Sequence, residues 1–381
     1  MRMRARESDP AAVPRSDGSG HDVRRLRPSP SVRWSDPVRF SMLLGGLVVV
    51  LAAVTLAAVG IGAVVVPVGH TWRIIVGHLL PGMAGPAGSP VDDQIIWEFR
   101  LPRALLAILV GSTLALAGAV LQALVRNPLA EPFLLGVSQG ASFGAVLVFV
   151  LGSLTLGGLV LSAAAFGGAL LATALVYLTA QRSGRITPSR LILAGVALAF
   201  LFQALYSYVL QKADSGRAAQ AILFWLLGSL GGARWDVLAV PAVVLGAGLM
   251  VLLVQFRPLN ALVAGDETAI SLGVDVNRLR IALFVLTSLL VGVVVAVSGA
   301  IAFVGLIIPH AARLIVGADH RRVLPVTALL GAIFLQLVDI VARTLDAPTE
   351  LPLSIVTAVV GVPFFLWLLR RRTPDRVELT A

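Results

Sequence analysis

Apolar stretches follow one another along this chain with only short polar breaks. Ten of them are candidate membrane spans: 40–66, 103–125, 133–154, 157–179, 191–210, 237–256, 281–297, 301–316, 323–341 and 351–369. A transmembrane helix needs about 20 predominantly apolar residues, and most of these stretches meet that length. The eighth is short and contains Pro309 and His310, so it is expected to cross incompletely. An even number of spans puts both termini on one side. Residues 1–38 show no apolar periodicity and are rich in Arg, Ser and Pro, which predicts a disordered tail. A second short tail is expected at 373–381. The first apolar run is too long for a signal-peptide core of about 7–15 residues, so it is expected to remain as a helix. The fold class predicted is an all-α integral membrane protein of about ten transmembrane helices.

The breaks between spans are not ordinary loops. RLPR at 100–103, RNPLAEP at 126–132 and GAIAFVGLIIPHAAR at 299–313 put proline, glycine and arginine beside or within apolar runs. Lipid offers no hydrogen bonds, so irregular backbone at membrane depth is tolerated only where protein or a water-filled path covers it. That pattern points to a bundle that moves something across a bilayer.

Composition agrees with the pattern. Of 381 residues 57% are hydrophobic and 13% charged, with a mean hydropathy of +0.92, against roughly 25% charged in soluble proteins. No cysteine is present, which removes disulfides, thiolate metal sites and cysteine nucleophiles. The net charge of +10 comes almost wholly from arginine, Lys212 being the one lysine. These arginines sit at the ends of apolar runs, where membrane topology explains them better than nucleic acid does. With the N-terminus inside, 23 basic residues fall on inner segments and 7 on outer ones. Discarding the tail leaves 14 against 7, so both termini are expected in the cytoplasm.

Lys212 lies between Gln211 and Ala213, so no GxxxxGK[ST] phosphate loop can form. HExxH, GxSxG and EF-hand patterns are also absent, and the five histidines are scattered. If ATP drives transport, another chain binds it.

Several residues carry candidate roles. The inner loop, about 257–280, accommodates two short helices, 259–264 and 267–272, with Asp266 as N-cap and Gly273 as stop. The second would expose Ala269, Ile270 and Leu272, either to a partner's groove or to lipid. Arg100 and Arg103 lie outside, against the positive-inside trend, close to Asp92, Asp93 and Glu98. They are either neutralised locally or meet an acidic partner. Asp339 and Arg343 stand four apart in acid-before-base order and form a candidate structural intramembrane pair. Gln122, Gln139, Gln203, Tyr206 and Ser207 suit either a polar path or hydrogen-bonded glue between helices.

From about Trp97 to the C-terminus the chain resembles the FecCD-type permease family of ABC importers for iron-siderophores, haem and cobalamin. The resemblance rests on RLPRALLAILVGSTLALAGAVLQALVRNPLAEPFLLGVSQGA, LILAGVAL, FWLLGSLGG, SGAIAFVGLIIPHAARLIVGADHRRVLP, LVDIVAR and ELPLSIVTAVVGVPFFLWLL in that order. It implies a type II ABC importer permease domain over 39–372, in a bacterial inner membrane. Two permease subunits, identical or paralogous, would enclose one path, with two ATPase subunits below and an extracytoplasmic substrate-binding protein above. The chain itself would bind no cofactor and catalyse nothing, ATP and Mg being used by the ATPase. Its cargo would be a metal chelate, an Fe(III)-siderophore being the commonest in the family, with haem or cobalamin as alternatives. An ion-coupled secondary carrier is the alternative from another class.

Residue by residue, the resemblance assigns ATPase coupling to Leu259, Gly265, Asp266, Glu267, Ala269, Leu272 and Gly273. It assigns binding-protein docking to Arg100, Arg103 and Arg343. Cytoplasmic gates would include Asn127, Leu129, Pro188 and Ser189, although a small polar residue is common where Pro188 stands.

Overall fold

The structure is a computed structural model that describes residues 36–62, 66–80, 89–150, 158–182, 184–212 and 216–371. Most of the N-terminal tail and all of 373–381 lie outside the described residues. Fourteen helices are seen among those described. They are α1 (Pro37–Gly60), α2 (Val68–Leu79), α3 (Pro90–Leu124), α4 (Val137–Val150), α5 (Gly158–Ala180), α6 (Pro188–Leu210) and α7 (Gly216–Leu226). After them come α8 (Trp235–Val254), α9 (Phe256–Ala264), α10 (Asp266–Ser271), α11 (Val276–Ser298), α12 (Val304–Val316), α13 (His320–Thr344) and α14 (Leu353–Arg371). A two-stranded antiparallel turn, Gln181–Arg182 against Arg185–Ile186, joins α5 to α6.

Seven of these helices are long and apolar enough to cross a membrane, and α4, α12 and α14 are shorter apolar helices. Together they correspond to the ten expected spans. At 13 residues, α12 rises about 20 Å at 1.5 Å per residue, short of the roughly 30 Å hydrocarbon core. The incomplete eighth span is therefore real. The first span ends at Gly60 rather than Val66. Two helices were not anticipated: α2 interleaves His, Thr and Arg with its apolar positions, and α7 opens on Gly-Arg.

Helix α3 is the mast of the bundle. In its most apolar window 83% of residues are buried, against 11% for the peripheral α1. Its middle, Leu106 to Ala115, belongs to a core that takes in Leu230, Val304, Leu335 and Leu353. Its last turns, Leu116 to Leu124, belong to another that reaches Leu259, Leu262 and Ala269. Small residues let neighbours approach it closely. A Cβ on Gly111 would collide with the carbonyl of Gly331 on α13, and one on Gly118 with the backbone of Gly305 on α12. Cross-helix hydrogen bonds seal the same faces: Ser112 Oγ donates to Ala328 O at 2.8 Å, and Gln122 Nε2 to Gly305 O at 3.1 Å. Gln122 is thus glue between helices, not path lining.

Gly118→Ala should destabilise the chain, because the new methyl meets backbone that cannot move aside. Overpacking costs about 1–3 kcal/mol. Gly45→Ala, on an open face of α1, should be neutral or stabilising by about 0.5–1 kcal/mol, because glycine is poor inside a helix. Melting temperatures in detergent compare the two, and equal effects would contradict the close-approach account.

Candidate functional site

Two charged clusters mark opposite ends of the bundle. At one end the last carbonyls of α1 have no intrahelical partner, as in any helix terminus. Arg100 Nη1 donates to Val59 O (3.1 Å) and Gly60 O (2.9 Å), and Arg343 Nη2 donates to Ala58 O at 2.9 Å. Cations at a helix C-terminus also answer its dipole. This is why α1 stops at Gly60: the guanidinium of Arg100 occupies the space beyond it, and a Cβ on Gly62 would fall 2.7 Å from that group.

Asp339, 1% exposed, sits between two arginines, with Arg343 Nε at 3.0 Å and Arg103 Nη2 at 2.9 Å. Arg103 also grips Glu350 with both terminal nitrogens, at 2.7 and 2.9 Å. Such two-pronged pairing fixes geometry as well as charge. The neighbours that neutralise Arg103 are therefore Asp339 and Glu350, not Asp92, Asp93 or Glu98. Glu350 is 247 positions away in sequence, out of reach of any local pattern. Arg100, Arg103 and Arg343 line one outward-opening cavity of about 380 Å³ with Phe99, Leu230 and Glu350. Asp339 and Glu350 are shared among these arginines, Asp92 also acts on Arg100, and Glu350 is the most exposed charged group of the cluster. Beside it, Trp235 Nε1 donates to Trp97 O at 2.9 Å, tying α8 to α3.

The other end carries α9 and α10. Gly265 between them has φ 128° and ψ 157°, a conformation that favours glycine. Gly265, not Asp266, is the N-cap of α10. The Asp266 carboxylate is drawn instead to Arg280 Nη2 (2.7 Å) and Arg126 Nη2 (3.4 Å). Gly273 closes α10 as expected: its N–H reaches Ile270 O, and that of Val274 reaches Ala269 O, both at 2.9 Å, which is a Schellman ending. Ala269 is fully buried, as are Leu259 and Leu262, whereas Val263, Ile270 and Leu272 are exposed at 45%, 63% and 67%. The expected exposure of Ala269 is therefore wrong. It packs inward because α10 is anchored by Asp266 on one flank and by Val274 on the other. The apolar face offered outward is Val263, Ile270 and Leu272, with Glu267 also exposed.

The gate candidates lie at this same end. Asn127 Oδ1 accepts from Leu129 N at 2.9 Å, a self-bonded turn after α3. Pro188 starts α6, where its missing N–H is harmless, and Ser189 beside it is exposed. Asn277 of α11 holds the preceding strand turn through Ile186 N (3.2 Å) and Gly184 O (2.8 Å). On α6, Gln203 and Ser207 are exposed one turn apart, whereas Gln139 is buried.

Sequence reading missed Glu131. Its carboxylate accepts the N–H of Phe303, which sits in the left-handed region (φ 69°) at the start of α12. Burial pushes this carboxyl up to about 7, while the bond from Phe303 pulls the other way. Near the far end of α12, Arg313 donates to Gln122 Oε1.

Comparison with known proteins places this architecture. Residues 37–371 match the FecCD transport family. The cobalamin import system permease protein BtuC of Halobacterium salinarum is 43% identical over 334 residues, covering 85% of this chain and 88% of that protein. The vitamin B12 import system permease protein BtuC of Salmonella typhimurium is 44% identical over 286 residues, covering 74% and 85% respectively. A solved structure of a metal-chelate type ABC transporter in an inward-facing conformation superposes with a TM-score of 0.76 at 36% identity, over 87% of this chain and 99% of its own. With this match over nearly all the described bundle, the chain belongs to the FecCD transport family, as a permease of an ABC importer.

Proposed function

We propose that the chain carries a corrinoid inward through a path it forms with a second permease subunit. Two ATPase subunits would bind at the α9–α10 end and an extracytoplasmic binding protein at the arginine end. The identity of 43% over 334 residues to a protein named for cobalamin import carries the choice of cargo. It favours cobalamin over the Fe(III)-siderophore expected from family frequency. The arginines support this orientation. Arg126, Arg257, Arg278 and Arg280 surround α9 and α10, and basic residues collect on the cytoplasmic side.

The exposed Val263, Ile270 and Leu272 suit the cleft of an ATPase. An apolar surface on so short a helix gains most from a partner's groove. The arginine cavity suits an acidic side chain because three guanidinium groups converge on it, although Glu350 at its rim opposes an incoming anion. An ion-coupled carrier finds less support, since the buried carboxylate of Asp339 is already held by two arginines.

Labelled cyanocobalamin uptake by a deletion strain, with and without this chain, tests the cargo. Restored uptake of cyanocobalamin is expected, and uptake of only ferric siderophores would reverse the assignment. Ile270→Asp with Leu272→Asp should leave the chain folded and monodisperse but reduce ATPase co-purification at least about tenfold. That is the scale of a lost 1.4 kcal/mol. Unchanged co-purification would remove α10 from the contact.

Glu350→Gln probes docking more cleanly than reversal of Arg103, which would break the buried pair and cost about 3–5 kcal/mol in folding. It removes one negative charge from the rim of the cavity while leaving Arg103 held by Asp339. Association with an acidic binding protein should quicken, and salt should slow it more steeply than in the wild type. An unchanged on-rate at low salt would argue against docking through this cavity.

A further inference from the structure

Asn260, half-buried on α9, makes three polar contacts with the turn between α12 and α13. Its Nδ2 donates to Asp319 Oδ1 at 2.8 Å. Its Oδ1 accepts from His320 N at 2.9 Å and lies 2.7 Å from His320 Nδ1. A backbone N–H can only donate and an ionised carboxylate only accepts, so the amide has one workable orientation. It follows that His320 donates through Nδ1. His320 is 2% exposed, and Asp319 also caps α13 by accepting from Arg321 N at 3.0 Å. The turn clasped in this way is a tight one, with Gly317 at φ 83°. Beyond it α12 is a short helix, joined to α3 by Arg313 with Gln122 and set on Glu131 at its start.

We propose that Asn260 is a positioning residue that clasps the α9–α10 pair to the α12–α13 turn, so that displacement of that pair is carried into α12. This rests on the reading of α9 and α10 as the ATPase-facing elements. Energetic coupling between sites requires a contiguous element that moves between discrete arrangements. A 13-residue helix held by side chains at both ends is short enough to shift as one body.

The chain has no cysteine, so a single introduced thiol is a specific label site. A bimane placed on Leu314→Cys, exposed on α12, reports that helix, and one on Ser271→Cys reports α10. In the assembled complex, with the ATPase thiols blocked beforehand, trapping with ADP and vanadate should shift the emission of both. In Asn260→Ala the Ser271 signal should persist and the Leu314 signal should be lost. Asn260→Asp should also lose it, by setting a second carboxylate against Asp319. Adding Asp319→Asn to Asn260→Asp should restore the Leu314 shift. The exchange returns one donor and one acceptor to the pair, and asparagine caps a helix as well as aspartate does.

A Leu314 shift that survives in Asn260→Ala would overturn the clasp. So would a wild-type complex in which Ser271 responds and Leu314 does not, or an exchange variant no better than Asn260→Asp. Loss of assembly in Asn260→Ala and in the exchange variant alike would make Asn260 a folding residue and overturn it too. A wild-type chain that binds no ATPase, with Ser271 silent, would defeat the underlying reading instead.

Discussion

Backbone-to-backbone contact along α3 is the constraint on which the rest of the bundle depends. Between helices in lipid there is no hydrophobic gain from excluding water, so packing and hydrogen bonds must hold them together. Gly111 and Gly118 bring α13 and α12 onto the mast at the separation of bare backbone. At that distance Ser112 and Gln122 can reach carbonyls on the opposing helices. A larger residue at either glycine would part the helices and strand those polar groups in an apolar medium, where an unmet one costs several kcal/mol.

The arginine end solves a different problem with the same economy. Two guanidinium groups satisfy three carbonyls at the end of α1, and one buried aspartate holds two arginines. Buried ion pairs are weak sources of stability because desolvation offsets their attraction. Their contribution here is geometric. They fix α1, α3 and α13 and the segment around Glu350 relative to one another, and they hold three positive groups around one cavity. The same contacts leave these side chains little freedom of their own.

Much of the architecture was legible in the sequence because lipid imposes a length. Helices α6, α11 and α13 appear where 191–210, 281–297 and 323–341 were expected. Proline and histidine in a short apolar run marked α12 as incomplete. Helices α2 and α7 were missed because mixed polar composition hides a helix when apolar length is the criterion. Site residues were legible where chemistry and spacing are local, as for Asp339 with Arg343 or Gly273 closing α10. They were illegible where partners lie far apart in sequence: Glu350 on Arg103, Asn260 on His320, Glu131 on Phe303. The inward turn of Ala269 belongs to the same class, since only tertiary anchoring of a six-residue helix decides which face is covered.

Two of those distant pairings, Glu131 with Phe303 and Asn260 with His320, bracket α12. Its first turn begins at a residue forced into the left-handed region, and a protein places a phenylalanine there only where surrounding contacts over-determine it. Glu131 supplies one such contact, and Gly361 another, because a Cβ there would fall 2.5 Å from the Phe303 ring. At the other end, Arg313 and the turn before His320 fix the helix to α3 and α9. The segment that cannot span the membrane is therefore bound at both ends by side chains rather than by its own length. Lipid does not set its position in the bundle; the loop before α4 and the short-helix pair do. An element held in that way follows its anchors when they move, whereas a full-length span is held in place by the bilayer.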